Sequence, residues 1–155
     1  MRGFRFSLEK VLEHRKNSEQ ESARGLVQAR DEAESARQAK ADLESVREAG
    51  RARLAQAHGV GGSVGHLQNL AYVLGHVDHQ IRDADAACQE ADENVVESMK
   101  SFQHAVRERK TIEGLRERKL DQWRVAEVRD ERKAMDEVAM LRFAQADPAP
   151  SRGGD

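Results

Sequence analysis

The stretch HGVGGSVG, residues 58–65, decides how this chain folds. Glycine occupies four of these eight positions, and each glycine in a helix interior costs about 1 kcal/mol relative to alanine. On both sides the sequence is charged, rich in alanine and free of proline, which appears only at Pro148 and Pro150. We therefore predict a turn at 58–65 that joins two long helices.

The composition supports long helices rather than a compact core. Of the 155 residues, 35% are charged and only 4% are aromatic, so few bulky side chains are available to fill a globular interior. The net charge of −2 argues against a general nucleic-acid binder. A single cysteine, Cys88, excludes an internal disulfide and fits a reducing compartment. With no signal-peptide run and no membrane-spanning stretch in the sequence, we expect a cytoplasmic protein.

The segment after the turn has the strongest periodicity. Its apolar positions alternate steps of three and four residues, which is the heptad spacing of a left-handed coiled coil. These positions are Leu67, Leu70, Leu74, Val77, Ile81, Ala84, Cys88, Ala91, Val95, Ser98, Phe102, Ala105, Arg109 and Ile112. Beyond Arg116 the register slips, but the helical pattern continues to about residue 144.

The segment before the turn has a weaker seam at the same spacing, with small and polar residues among the apolar ones. Its positions are Leu8, Leu12, Arg15, Glu19, Ser22, Leu26, Ala29, Ala33, Ala36, Lys40, Leu43, Arg47, Gly50, Leu54 and Ala57. We predict one coiled-coil hairpin over residues 1–146, with helix 1 at about 5–57, helix 2 at about 66–144, and a disordered tail at 147–155.

The lengths of the two helices predict an overhang. If Ala57 lies beside Leu67, the numbers of facing residues add up to about 124, because both helices rise by about 1.5 Å per residue. The first residues of helix 1 then lie opposite about Leu120, and beyond that point helix 2 continues without a partner helix for roughly 24 residues, or about 36 Å. The predicted fold is therefore all-α: an antiparallel coiled-coil hairpin whose second helix is longer and overhangs at the end with both termini.

The overhang contains apolar residues that an isolated helix would expose to water. They are Leu120, Trp123, Val128, Met135, Val138, Leu141 and Phe143. Trp123 and Phe143 are notable in a chain with so few aromatics, because aromatic side chains are enriched in binding surfaces. We expect a partner to cover this segment; the alternative is a solvated, frayed tail.

Both ends of the chain resemble the FliJ family, the small coiled-coil proteins of the bacterial flagellar type III export apparatus. The resemblance rests on FRFSLEKVLEHRK at residues 4–16 and on IEGLRERKLDQWRVAEVRDERKAMDEVAMLRF at residues 112–143. The middle of the chain is similar in pattern only. The sequence departs from the family at Trp123, where tyrosine is more usual, and in its long glycine-rich turn.

The resemblance implies a non-enzymatic protein that acts as the central stalk of a hexameric export ATPase, promotes assembly of the ring and activates it. It also implies contacts with the cytoplasmic domain of the export-gate membrane protein and with export chaperones, peripheral association with the inner membrane at the flagellar base, and a role in motility. No cofactor, nucleic acid or direct lipid insertion is expected. The hypothetical contacts with the ATPase are Phe4, Phe6, Leu8, Val11, Arg15, Leu120, Trp123, Glu127, Glu131, Lys133, Asp136, Glu137, Arg142 and Phe143.

Other functions find less support in the sequence. The glycine-rich stretch lacks the Lys and Ser/Thr of a phosphate-binding loop. His76 and His79 lie one turn apart with Asp78 and Asp83 nearby, but they have no Cys partners and no H-E-x-x-H frame. Cys88 lies on the seam and is expected to be a core residue. The acidic run from Asp78 to Glu97 is expected to be a solvated face or a contact for a basic partner.

Three other classes of protein are alternatives to the export-ATPase stalk. They are the equivalent stalk of a virulence injectisome, a self-associating structural coiled coil, and a helix that binds nucleic acid or a membrane surface through the basic residues of 107–119.

Overall fold

The structure, a computed structural model, describes residues 3–146; the tail predicted at 147–155 lies outside the described residues. Two helices account for most of it: α1 spans Glu9–Gly59 and α2 spans Val64–Ala146. They pack against each other as an antiparallel hairpin with the longer helix second, which confirms the predicted fold class. Every predicted seam position on both helices is buried or half-buried.

The turn is shorter than the 58–65 expected from the sequence, because α1 continues to Gly59 and α2 begins at Val64. Gly61 adopts the left-handed conformation, with φ 76°, and the Gly62 amide donates to the Ala57 carbonyl oxygen at 2.9 Å. This bond closes the end of α1 as in a Schellman motif. The Ser63 hydroxyl then accepts a hydrogen bond from the His66 amide at 3.3 Å and caps α2.

Helix α1 also begins later than expected, at Glu9 rather than near residue 5. Residues 3–6 lie outside both helices, and their half-buried side chains, Phe4 and Phe6, alternate with exposed neighbours. This period of two is that of extended backbone, in which alternate side chains point to one side. The Glu9 amide donates to the Phe6 carbonyl oxygen at 3.2 Å, which marks the bend into the helix.

The chain divides into two compact units. The hairpin unit comprises residues 15–108 and contains the turn. The terminal unit comprises the chain up to His14 together with the chain from Arg109 onward.

In the hairpin unit, the core is made of small and branched side chains from both helices. The most deeply buried are Leu26, Ala29, Ala33, Val77, Ile81 and Ala105. Lys40 Nζ donates to Asp85 Oδ1 at 2.6 Å, and Arg15 Nη1 to Glu108 Oε2 at 2.7 Å. Both pairs fit the facing register expected from the sequence.

Gly50 marks a close approach of the helices in the same unit. A Cβ atom built on Gly50 would lie 2.7 Å from Leu74 Cδ2, much less than the 3.5–4.0 Å of a normal carbon contact. Gly50 and Leu74 are facing positions in the predicted register. Glycine at this seam position therefore makes room for the leucine across the interface.

Candidate partner-binding surface

The terminal unit is built around the extended start of the chain. The ring centroids of Phe4 and Trp123 are 6.1 Å apart, and the ring planes are tilted by 55°, an arrangement within the favourable range for aromatic pairs. A shallow groove beside these rings is lined by residues of the N-terminal segment and of α2. They are Phe4, Arg5, Phe6, Ser7, Leu8, Leu115, Lys119 and Trp123. The N-terminal segment thus covers one stripe of α2.

An ion pair supports this arrangement where α1 begins. Arg116 Nε lies 3.1 Å from Glu9 Oε2, and both groups are largely exposed, so the pair contributes at most about 1 kcal/mol. The half-buried positions of α2 then continue at Arg116, Leu120, Trp123 and Glu127. The step from 116 to 120 adds one residue to the heptad spacing, which is the predicted register slip.

Beyond Glu127, α2 has no covering element in the part of the chain that the structure describes. Every residue from 128 to 145 is exposed. We call residues 124–146 the extension. Its large apolar side chains are open to solvent: Val125 58%, Val128 49%, Met135 76%, Val138 50%, Met140 74%, Leu141 64% and Phe143 78%.

The residues predicted as partner contacts fall into three groups. Phe4, Phe6, Leu8, Leu120, Trp123 and Glu127 are half-buried in the terminal unit, where the N-terminal segment and α2 use part of their surface. Val11, Glu131, Lys133, Asp136, Glu137, Arg142 and Phe143 are exposed in the same unit and available to a partner. Arg15 belongs to the hairpin unit and pairs with Glu108.

The predicted contact list omitted Val128, Met135 and Val138, which are among the exposed apolar residues of the extension. The sequence had already placed them among the apolar residues of the overhang, and their spacing supports including them, because residues 128, 135 and 138 are seven and three positions apart and therefore share one side of a helix.

The acidic run from Asp78 to Glu97 is more than a solvated face, because three of its acids pair with basic residues of α1. Asp85 accepts from Lys40, and Asp78 Oδ1 lies 3.7 Å from Arg47 Nη1. Asp92 pairs with Arg37. The negative charge of Asp92 and the hydrogen bond that it accepts raise the pKa of Arg37. In the same way, the hydrogen bond that Lys40 donates to Asp85 and the negative charge of Asp85 raise the pKa of Lys40.

The chemistry-bearing side chains of the sequence lie apart from one another. Cys88 is half-buried on the seam of α2. His79 lies 3.6 Å from Asp83, and nowhere in the described residues do three potential metal ligands come together. None of the helices described is long and apolar enough to cross a bilayer.

The fold and its surfaces define a class: antiparallel two-helix coiled-coil proteins that have a helical extension beside their chain ends. The sequence profile described as "Flagellar FliJ protein" matches residues 4–147, nearly the whole chain. The chain therefore belongs to the FliJ family, the structural coiled-coil proteins of the flagellar type III export apparatus. This confirms the resemblance found in the two end segments.

A solved structure shares the fold. It is CT670 from Chlamydia trachomatis, described as a YscO homolog, and it is 21% identical in sequence. The match covers 92% of this chain and 97% of that chain, with a TM-score of 0.53. No curated protein matches the chain.

Proposed function

We propose that this protein is the central stalk of the hexameric flagellar export ATPase. It promotes assembly of the ring and raises ATP turnover without performing chemistry of its own. The observation that supports this role is the extension, a helix whose residues from 128 to 145 are all exposed in a chain that belongs to an export-apparatus family.

The physical reason for activation is asymmetry. A single coiled coil placed within a sixfold ring presents a different surface to each subunit. Interactions that differ between subunits shift their conformational equilibria by different amounts. A non-enzymatic protein can thereby favour successive nucleotide states around the ring and stimulate hydrolysis.

The two ends of α2 are assigned different partners in this proposal. The extension and the N-terminal segment contact the ATPase. The turn end, where Val60 is 82% and Tyr72 79% exposed, contacts the cytoplasmic domain of the export gate and export chaperones. Peripheral association with the inner membrane then follows from these partners, and loss of the protein impairs flagellum assembly and motility.

The test is ATP hydrolysis by the purified flagellar export ATPase from the same organism, with and without this protein. A truncation after Glu127 keeps Trp123 and its contact with Phe4 but removes the exposed part of the extension. The truncated chain should keep its melting temperature, because residues 128–145 bury no side chain against the rest of the chain, and should lose the stimulation.

A matched control tests the other end. Tyr72→Ala should leave stimulation of the ATPase unchanged and weaken binding to the gate domain or to chaperones. Undiminished stimulation by the truncated chain would refute the role of the extension. If the intact chain neither binds nor stimulates the ATPase and instead forms a stable dimer, the stalk proposal is wrong and a self-associating coiled coil replaces it.

A further inference from the structure

The extension has two chemically different sides. Successive residues of an α-helix are separated by about 100° around its axis. One sector about 140° wide includes most of the large apolar residues, and we call it the arginine face. Its members are Arg124, Val125, Val128, Glu131, Arg132, Met135, Val138, Ala139, Arg142 and Phe143.

The shape of the surface agrees with this division. Two shallow depressions lie along the arginine face, and each is lined by apolar side chains together with at least one arginine. The first is lined by Arg124, Val125, Val128, Arg129 and Arg132, and the second by Ala134, Met135, Val138, Ala139 and Arg142. Most of the lining residues belong to the arginine face.

The charges on this face are mostly positive. Arg124 is paired with Asp121 at 3.4 Å, whereas Arg132 and Arg142 are exposed and take part in no ion pair within the described residues. Glu131 is the single acid of the face. The acids Glu127 and Asp136 each lie about 20° beyond an edge of this face. The rest of the extension bears the acids Asp130 and Glu137 and the bases Arg129 and Lys133.

We infer that the arginine face docks into an apolar groove bordered by carboxylates on a partner protein, and that the opposite side of the extension stays outside this contact. This narrows the contacts that the family resemblance implied: Glu131, Arg142 and Phe143 lie on the arginine face and remain contacts, whereas Lys133 and Glu137 lie on the opposite side and do not. This inference rests on the proposed function and identifies the part of the extension that binds the ATPase. Arginine at a binding surface forms bidentate hydrogen bonds with carboxylates, so acidic residues are the complementary chemistry. The apolar side chains of the face require a partner surface that excludes water.

Charge also decides against a second copy of this chain as the occupant. Each arginine face carries three arginines and one acid, Glu131, so two such faces brought together would set net positive charge against net positive charge, which disfavours association. A heterologous partner with acidic borders meets no such repulsion.

The extension offers a closely matched pair of variants for the test. Met135 and Met140 are 76% and 74% exposed, but they point in directions about 140° apart around the helix. Glutamate has a helix propensity close to that of methionine, so Met135→Glu and Met140→Glu should be equally helical. Met135→Glu should weaken binding to the purified flagellar export ATPase on the order of tenfold or more, and Met140→Glu should change it by less than about twofold.

A second pair tests the charge. Arg132→Glu and Lys133→Glu make the same change of charge at adjacent positions, but only Arg132 lies on the arginine face. Arg132→Glu should weaken binding strongly and Lys133→Glu only slightly, while added salt should weaken wild-type binding. Affinity is measured calorimetrically with the full chain, and circular dichroism verifies the helix content of each variant.

The outcomes separate this inference from the proposed function. If the wild-type chain does not bind the ATPase, both are wrong. If it binds but the two methionine variants, or the two charge variants, lose affinity equally, the face assignment is wrong and the stalk proposal stands. A wild-type dimer that Met135→Glu alone dissociates would also overturn the inference, because the face would then be a contact between copies.

Discussion

Gly50 should be the position where alanine, normally the better helix former, brings little or no stability. In an unobstructed helix interior, Gly→Ala gains about 1 kcal/mol. At Gly50 the new Cβ would lie 2.7 Å from Leu74 Cδ2 and 3.5 Å from Leu74 Cγ. Leu74 would have to leave its rotamer, at a cost of about 0.5–1.5 kcal/mol, or the helices would have to separate, at about 1–3 kcal/mol.

Gly25 supplies the control, because it lies in the same helix and a Cβ there meets nothing within 4 Å. Gly25→Ala should therefore raise the free energy of unfolding by about 1 kcal/mol. The free energy of unfolding of the Gly50→Ala variant should be lower than that of the Gly25→Ala variant by roughly 1 kcal/mol or more. For a chain of this length, the difference corresponds to about 2–4 °C in melting temperature.

The assay is urea denaturation followed by the helical circular dichroism signal, with a double-mutant cycle on Gly50 and Leu74. In a Leu74→Ala background the obstructing atoms are gone, so Gly50→Ala should recover its full gain of about 1 kcal/mol. Equal gains at Gly25 and Gly50 in the wild-type background, or an absence of coupling to Leu74, would refute the close approach and the register that produces it.

Two further perturbations test other contacts. Phe4→Ala should remove an aromatic contact worth about 0.5–1.5 kcal/mol. It should also shift the fluorescence of Trp123, the single tryptophan, to longer wavelength, because the indole ring becomes more exposed. An unchanged emission spectrum would mean that the N-terminal segment does not cover Trp123. Because Asp85 raises the pKa of Lys40, the stability from that pair should be complete below the ordinary lysine pKa of about 10.4 and be lost as the pH rises through the raised value. Lys40→Met should therefore be less sensitive than the wild type to pH above about 10, and equal alkaline losses of stability in both proteins would contradict the pairing.

The sequence contained much of the fold because a coiled-coil seam is a local, repeating property. Leu74 and Ile81 could be assigned to the interface from spacing alone, since the heptad repeat places such residues on one stripe of their own helix. The facing register followed from equal helical rise and a turn of known position. The pairs Lys40 with Asp85 and Arg15 with Glu108 fit that register.

The local conformation at the chain start was less accessible to sequence reasoning. Phe4, Phe6 and Leu8 are spaced two residues apart, yet a helical stripe through Leu8 and Leu12 overlaps them. The choice between helix and extended chain at residues 3–6 depends on a surface of α2 that is far away in the sequence. Similarly, the pattern of glycines indicated a turn, but the Gly62–Ala57 and Ser63–His66 hydrogen bonds set its limits.

The sequence by itself determined the two helices, the glycine-rich turn between them, the seam and the unequal helix lengths, because each depends on spacing or length along one chain. Only the tertiary structure decided that acids of the run from Asp78 to Glu97 pair with α1, that Phe4 lies against Trp123, and that, within the described residues, the uncovered part of α2 begins at residue 128 rather than at Leu120. These features depend on which surfaces face each other across the helix pair. Periodicity within one helix indicates a buried stripe, but it does not specify which exposed side chains will find a partner on the other helix.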